Sequence, residues 1–108
     1  MLYELRTYTA MPGRFPELHK RFKEITLGFL KKHGIQAVGF WTNELGGASD
    51  QLIYMLAYEN LADREKKWGA VLADPERVSK FAETEKNGPL VLRLTAQALR
   101  PTPYSPMQ

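Results

Sequence analysis

The run QLIYMLAYE, Gln51 to Glu59, is apolar or aromatic at every position between its two polar ends and reads as a strand. Side chains of a strand alternate between its faces, so Leu52, Tyr54 and Leu56 share one side while Ile53, Met55 and Ala57 share the other. Both sides are apolar. A strand of this kind needs a covering layer above and below it, which places it inside a layered fold rather than at a solvated surface.

The flanking sequence supplies only one such layer. Upstream, Gly46 to Asp50 reads as a turn and Ile35 to Glu44 (IQAVGFWTNE) as a second strand, so the two runs form a hairpin. Between Arg14 and His33, Phe15, Leu18, Phe22, Ile25 and Phe29 recur at steps of three and four, the signature of one helical face. Lys31, Lys32 and His33 suit the negative end of that helix, and Gly34 suits the residue that ends it. Before it, Leu2 to Thr9 (LYELRTYT) is strand-like and is broken by Met11-Pro12-Gly13. Downstream, Asn60 is placed to cap a helix over Leu61 to Ala73, with apolar Leu61, Trp68, Val71 and Leu72. Asp74-Pro75 then restarts a helix through Val78, Phe81 and Ala82 toward Asn87-Gly88-Pro89. Leu90 to Arg100 is the last strand. The order is β-α-β-β-α-β, an α+β ferredoxin-like arrangement in which one four-stranded antiparallel sheet carries helices on one face. Residues 1–100 are expected to form the domain and 101–108 a proline-rich tail.

The last strand is also apolar on both sides, with Leu90, Leu92, Leu94 and Ala96 set against Val91, Thr95 and Leu99. With 108 residues no sequence remains to cover the second face, so a second copy of the chain in a two-fold homodimer is expected to do so. Composition is that of a globular chain: 44% hydrophobic, 25% charged and a net charge of +3, with no low-complexity segment and only the tail departing in composition. No apolar run approaches the roughly 20 residues of a membrane helix, and MLYELRTYTA lacks the plan of a signal peptide. No integral membrane association and a cytoplasmic location are expected. The absence of cysteine removes disulfides, thiolate nucleophiles and sulfur-held metals from consideration.

Four stretches, MLYELRTYTAMPGR, VGFWTNELG, YMLAYENLADRE and ALRPTPYSP, resemble the NIPSNAP domain, in order and across nearly the whole chain. The resemblance implies a ferredoxin-like member of the dimeric α/β-barrel superfamily, built as a two-sheet homodimer. It implies roles in vesicular trafficking, mitochondria and general interaction rather than a defined reaction. Relatives that act at mitochondria carry N-terminal targeting extensions, whereas this sequence starts at the first strand. Many relatives carry a histidine and a tryptophan on the third strand, where this chain has Tyr54 and Leu56. Haem-degrading members of the superfamily use an asparagine on the first strand together with a tryptophan and a haem-ligating histidine in the second helical region. Here Arg6 stands on the first strand, Trp68 lies near the tryptophan position, and residues 74–86 hold no histidine, so no haem or other cofactor is expected.

On the first strand Leu2, Glu4, Arg6 and Tyr8 share a face, which the superfamily likeness turns toward the helices and a small-molecule cleft. Arg6 is placed to orient a carboxylate or enolate, with Tyr8 or Tyr54 as hydrogen-bond donor and Trp41 and Trp68 as apolar walls. The other reading of the same residues is a charge network between Glu4 and Arg6 with the aromatics as core. Two functions follow: a ligand-binding or interaction module, or a cofactor-independent monooxygenase or isomerase in which Arg6 and Tyr8 position an enolate.

The remaining signals are weaker. His19 and His33 lie 14 residues apart on one helix, roughly 21 Å along its axis, so they cannot share a metal within one chain, and no metal site is expected. Residues 14–33 hold six basic and two acidic residues, a run that reads as a solvated face or as an attraction for an acidic partner. The βαββαβ order also occurs in RNA-recognition modules, but QLIYMLAY lacks their basic-Gly-aromatic signature, so no nucleic acid is expected. Gly46-Gly47 precedes a strand and cannot cradle a phosphate at a helix start. Tyr104 in the tail is placed either to dock on a partner subunit or to fray.

Overall fold

Four strands, β1 (Leu2–Ala10), β2 (Gln36–Thr42), β3 (Gln51–Tyr58) and β4 (Val91–Leu99), form one antiparallel sheet in the order β2-β3-β1-β4. The computed structural model describes every residue from Met1 to Gln108. β1 lies between β3 and β4, with Arg6 opposite Tyr54 on one side and Ala96 on the other. Three helices lie on one face: α1 from Phe15 to Lys32, α2 (Leu61–Ala73) and α3 (Pro75–Thr84). The fold is therefore the α+β ferredoxin-like arrangement read from the sequence.

The helix caps follow the sequence. Asn60 accepts the Asp63 amide at 2.8 Å, and the Asp63 carboxylate accepts the Glu59 amide at 2.9 Å, closing the start of α2 reciprocally. Asp74 accepts the Glu76 amide at 3.0 Å and Pro75 occupies the first turn of α3. Gly34 ends α1 with φ +71°, a conformation that side chains bearing a Cβ rarely adopt.

Three irregularities depart from the sequence reading, and two of them face the functional region. α1 is not a uniform α-helix: Phe22–Thr26 form a π-turn in which the Leu27 amide bonds the Phe22 carbonyl. The extra residue turns Thr26 and Leu30 inward beside Phe29 and leaves Ile25 half-buried. In β4, Thr9 pairs with Arg93 but Ala10 pairs with Val91, so Leu92 is bulged out and Val91 joins Leu94 on the helix side instead of Thr95 and Leu99. In β2, Ala37 and Gly39 pair with consecutive β3 residues, which leaves Val38 as a second bulge.

The core is the space between the helices and the inner sheet face, where Leu18, Phe22, Leu30, Leu52, Tyr54, Leu56 and Val71 pack as one cluster. The outer face has no helix. Tyr3, Leu5, Thr7, Ile53 and Met55 lie there half-buried, and Trp41 remains 50% exposed. β4 is the more open edge: Leu92 and Leu94 are 55% and 48% exposed. The tail folds back over one end of the outer face, where the Tyr3 hydroxyl donates to the Gln108 carbonyl at 2.7 Å, while Tyr104 stays 86% exposed. No helix is long and apolar enough to cross a membrane.

Candidate functional site

The inner face of β1 presents Glu4, Arg6 and Tyr8 in a row, and the register places Tyr54 of β3 directly opposite Arg6. Glu4 is buried and accepts Arg6 Nη1 at 3.0 Å and Arg64 Nη2 at 3.1 Å. Arg6 is equally buried. Its Nε donates to the Tyr54 hydroxyl at 2.7 Å and its Nη2 to the Tyr8 hydroxyl at 3.0 Å. The guanidinium lies 4.4 Å from the Trp68 ring centroid. Every nitrogen of Arg6 is thus committed inside the protein, and the charge network weighed against ligand binding is the arrangement Arg6 adopts.

The commitment of Arg6 nevertheless shapes what reaches the ligand side. Tyr54 donates to the Tyr8 oxygen at 3.1 Å, so Tyr8 accepts from both Tyr54 and Arg6 and keeps its own proton for a further acceptor. Burial first, then the neighbouring Tyr8, pushes Tyr54 well above the ordinary phenol range, so it remains a donor at any physiological pH. The result is a relay from a buried cation to a single phenolic O–H.

That relay borders a cavity of about 210 Å³ between the sheet and the helices, with Tyr8, Tyr54 and Trp68 in its wall. Three of the five residues read from the sequence as pocket candidates therefore line one space. Arg6 lies behind the two tyrosines rather than in the wall. Trp41 does not join them: it pairs with Ile53 on the outer face and borders a separate groove with His19 and Phe40, because the odd positions of β2 after the Val38 bulge point away from the helices.

The sequence reading missed Arg21, Thr26 and Arg77, which also line the cavity. Arg21 belongs to the basic run of α1, yet it is only 5% exposed, so that run is not a uniformly solvated face. The signal was present in the spacing, since Arg21 lies three residues after Leu18 and beside Phe22 on the apolar stripe. Burial first, and the neighbouring Arg21 next among the groups that oppose its charge, hold Arg77 below the usual arginine value. The histidines lie elsewhere. His19 is exposed and tilted against Phe15, and His33 caps α1 with Nε2 at 2.8 Å from the Asp74 carboxylate.

The sequence profile of the NIPSNAP family matches residues 3–106. The chain belongs to the NIPSNAP family. Among curated relatives, NipSnap homolog 3B of Mus musculus is 30% identical over 79 residues, covering 73% of this chain and 31% of that protein. This NIPSNAP chain thus spans about a third of the length of the curated relatives it matches. Among solved structures, protein Atu4242 of Agrobacterium tumefaciens is 26% identical with a TM-score of 0.85 over 100% of both chains. A NIPSNAP domain protein of Burkholderia xenovorans, described as uncharacterized, has a TM-score of 0.83 at 24% identity over 98% of this chain and 99% of its own.

Proposed function

We propose that this NIPSNAP chain is a homodimeric, cytosolic binding module for a small organic molecule, held between the sheet and the helices of each subunit. The observation that carries the reading is the cavity itself: a largely hydrophobic space with one phenolic proton, that of Tyr8, left over by the groups around it. A core selected for stability alone would close such a space, because each unfilled methylene-sized void costs stability. The homodimer is supported by the uncovered outer face, where Leu5, Ile53, Met55 and Trp41 gather with no helix over them. In this reading residues 1–100 are the domain and 101–108 an arm.

A catalytic role is the second reading, favoured by the Arg6-to-Tyr8 relay. A phenol that accepts from a guanidinium and from a second phenol is a stronger donor, able to stabilise an enolate oxygen without a cofactor. In this reading Tyr8 is the residue that touches the substrate and Arg6 positions it.

Native mass spectrometry of the purified protein tests the main reading. The expected species is a dimer carrying a small adduct that is lost in Val71→Phe, which fills the cavity wall. A wild-type protein that, like the variant, carries no adduct at any collision energy overturns it.

A further inference from the structure

Resting on the reading of the cavity as a small-molecule site, we propose that its ligand is an organic anion. The class is a monocarboxylate with a ring-sized apolar body, its charge held between Arg21 and Arg77 and its body laid along Phe22, Trp68 and Val71.

Two cations meet at one aromatic ring. The guanidinium carbons of Arg21, from α1, and Arg77, from α3, lie 4.4 Å and 4.1 Å from the Phe81 ring centroid. Arg77 has no carboxylate partner; the groups about it are the Phe81 ring, the Tyr8 and Tyr54 phenols and the cations Arg21 and Arg6. Arg21 does have one: its Nη1 lies 3.3 Å from Glu85 and 3.4 Å from the Thr84 hydroxyl. Glu85 is the one acidic residue of the wall, and it also accepts the Leu90 amide at 3.3 Å, so it is shared. The wall therefore carries two positive charges against one negative. Like charges crowded in an apolar cleft are costly, and an anion between them removes that cost.

Unused donors lie in the same wall. Arg21 Nε and the Thr26 hydroxyl are both buried with no hydrogen-bond partner. Buried groups of this kind are rare in folded proteins, and two from one cavity wall call for an acceptor. The π-turn is what brings them together, since it begins directly after Arg21 and ends at Thr26. Such turns occur often at functional sites. Guanidinium groups match carboxylates in planar, bidentate geometry. The rest of the wall is mainly hydrophobic, which suits an apolar body and disfavours a multiply charged phosphate. At about 210 Å³ the space lies below the range of about 300–1,000 Å³ typical of drug-sized ligands, which limits the body to one ring or a short branched chain.

The two tryptophans provide an internal control, because Trp68 lines the cavity and Trp41 lies on the opposite sheet face. Protein with ¹⁵N-labelled tryptophan is titrated at pH 7 with benzoate and with the neutral isostere benzamide, and both indole N–H resonances are followed. The proposal expects benzoate to shift Trp68 and leave Trp41 in place, with benzamide at least tenfold weaker. Arg77→Gln, which removes the charge at a half-buried position without breaking an ion pair, should reduce benzoate affinity to that of benzamide. Arg21→Gln should do the same, and if it does not fold Arg77→Gln suffices. Equal affinity for the two probes in wild-type protein overturns the anion proposal while keeping the cavity as a binding site. No shift of Trp68 with either probe up to solubility overturns both.

Discussion

Tyr58 and Asp74 show how single buried groups set the pH limits of this fold. The Tyr58 hydroxyl is buried with no hydrogen-bond partner, and burial pushes its pKa up to about 12. The unfolded chain ionises at about 10, so folding loses stability as pH rises above that value toward 12, where the native phenol begins to ionise too. Tyr58→Phe removes the orphaned hydroxyl. Urea unfolding at neutral pH should show a gain of about 1 kcal/mol or more, and the alkaline loss should shrink. A drop in stability would mean that the hydroxyl has a partner. At the acid end, hydrogen bonds from Lys32 and then His33 hold the Asp74 carboxyl well below the usual range. Its stabilisation is complete above an unfolded pKa of about 3.9 and is lost as pH falls below it. Thermal unfolding followed from pH 6 to pH 2 should therefore fall less steeply in Asp74→Asn than in the wild type. Glu4 is the third case. Glu4→Gln leaves Arg6 buried without its carboxylate and should cost about 3–5 kcal/mol, read from the urea midpoint.

The order of the elements was legible because periodicity is a property of many residues at once. The alternation of β1 and β3 and the three-four spacing of α1 survive any single irregularity. For the same reason the π-turn and both bulges were not legible: each inserts one residue and leaves the surrounding pattern nearly intact. The site divides along this line. Alternation put Glu4, Arg6 and Tyr8 on one face, the family likeness turned that face toward the helices, and helical spacing put Trp68 on the apolar stripe of α2. Arg21 and Arg77 escaped notice because an arginine on a helix reads as solvent-facing until a neighbouring ring is known to cover it. Trp41 was assigned to the wrong side because the Val38 bulge reverses which residues of β2 face the helices. At the end of α1, Gly34→Ala places a Cβ at φ +71° and should cost about 1–2 kcal/mol in chemical denaturation. A neutral result would show that the turn relaxes.

For the whole molecule, the exposed outer face matters most. Ile53 lies near its centre, opposite both Thr7 of β1 and Trp41 of β2. Light scattering at micromolar concentration should give twice 12.4 kDa for the wild type, and Ile53→Lys should reduce it to the single-chain mass with the helical signal retained. A single-chain mass for the wild type itself would remove the dimer from the proposed function. β4 raises a separate matter. Eight of its nine residues are exposed, and its outer rim offers unpaired amides and carbonyls on which another extended chain could build. The bulge at Leu92 breaks the regular spacing of those groups near one end, Arg93 places a charge beside it, and Pro101 follows closely after the other end with no amide to offer. Only the short stretch between them can add a strand in register, so the same rim resists the runaway stacking that leads to amyloid.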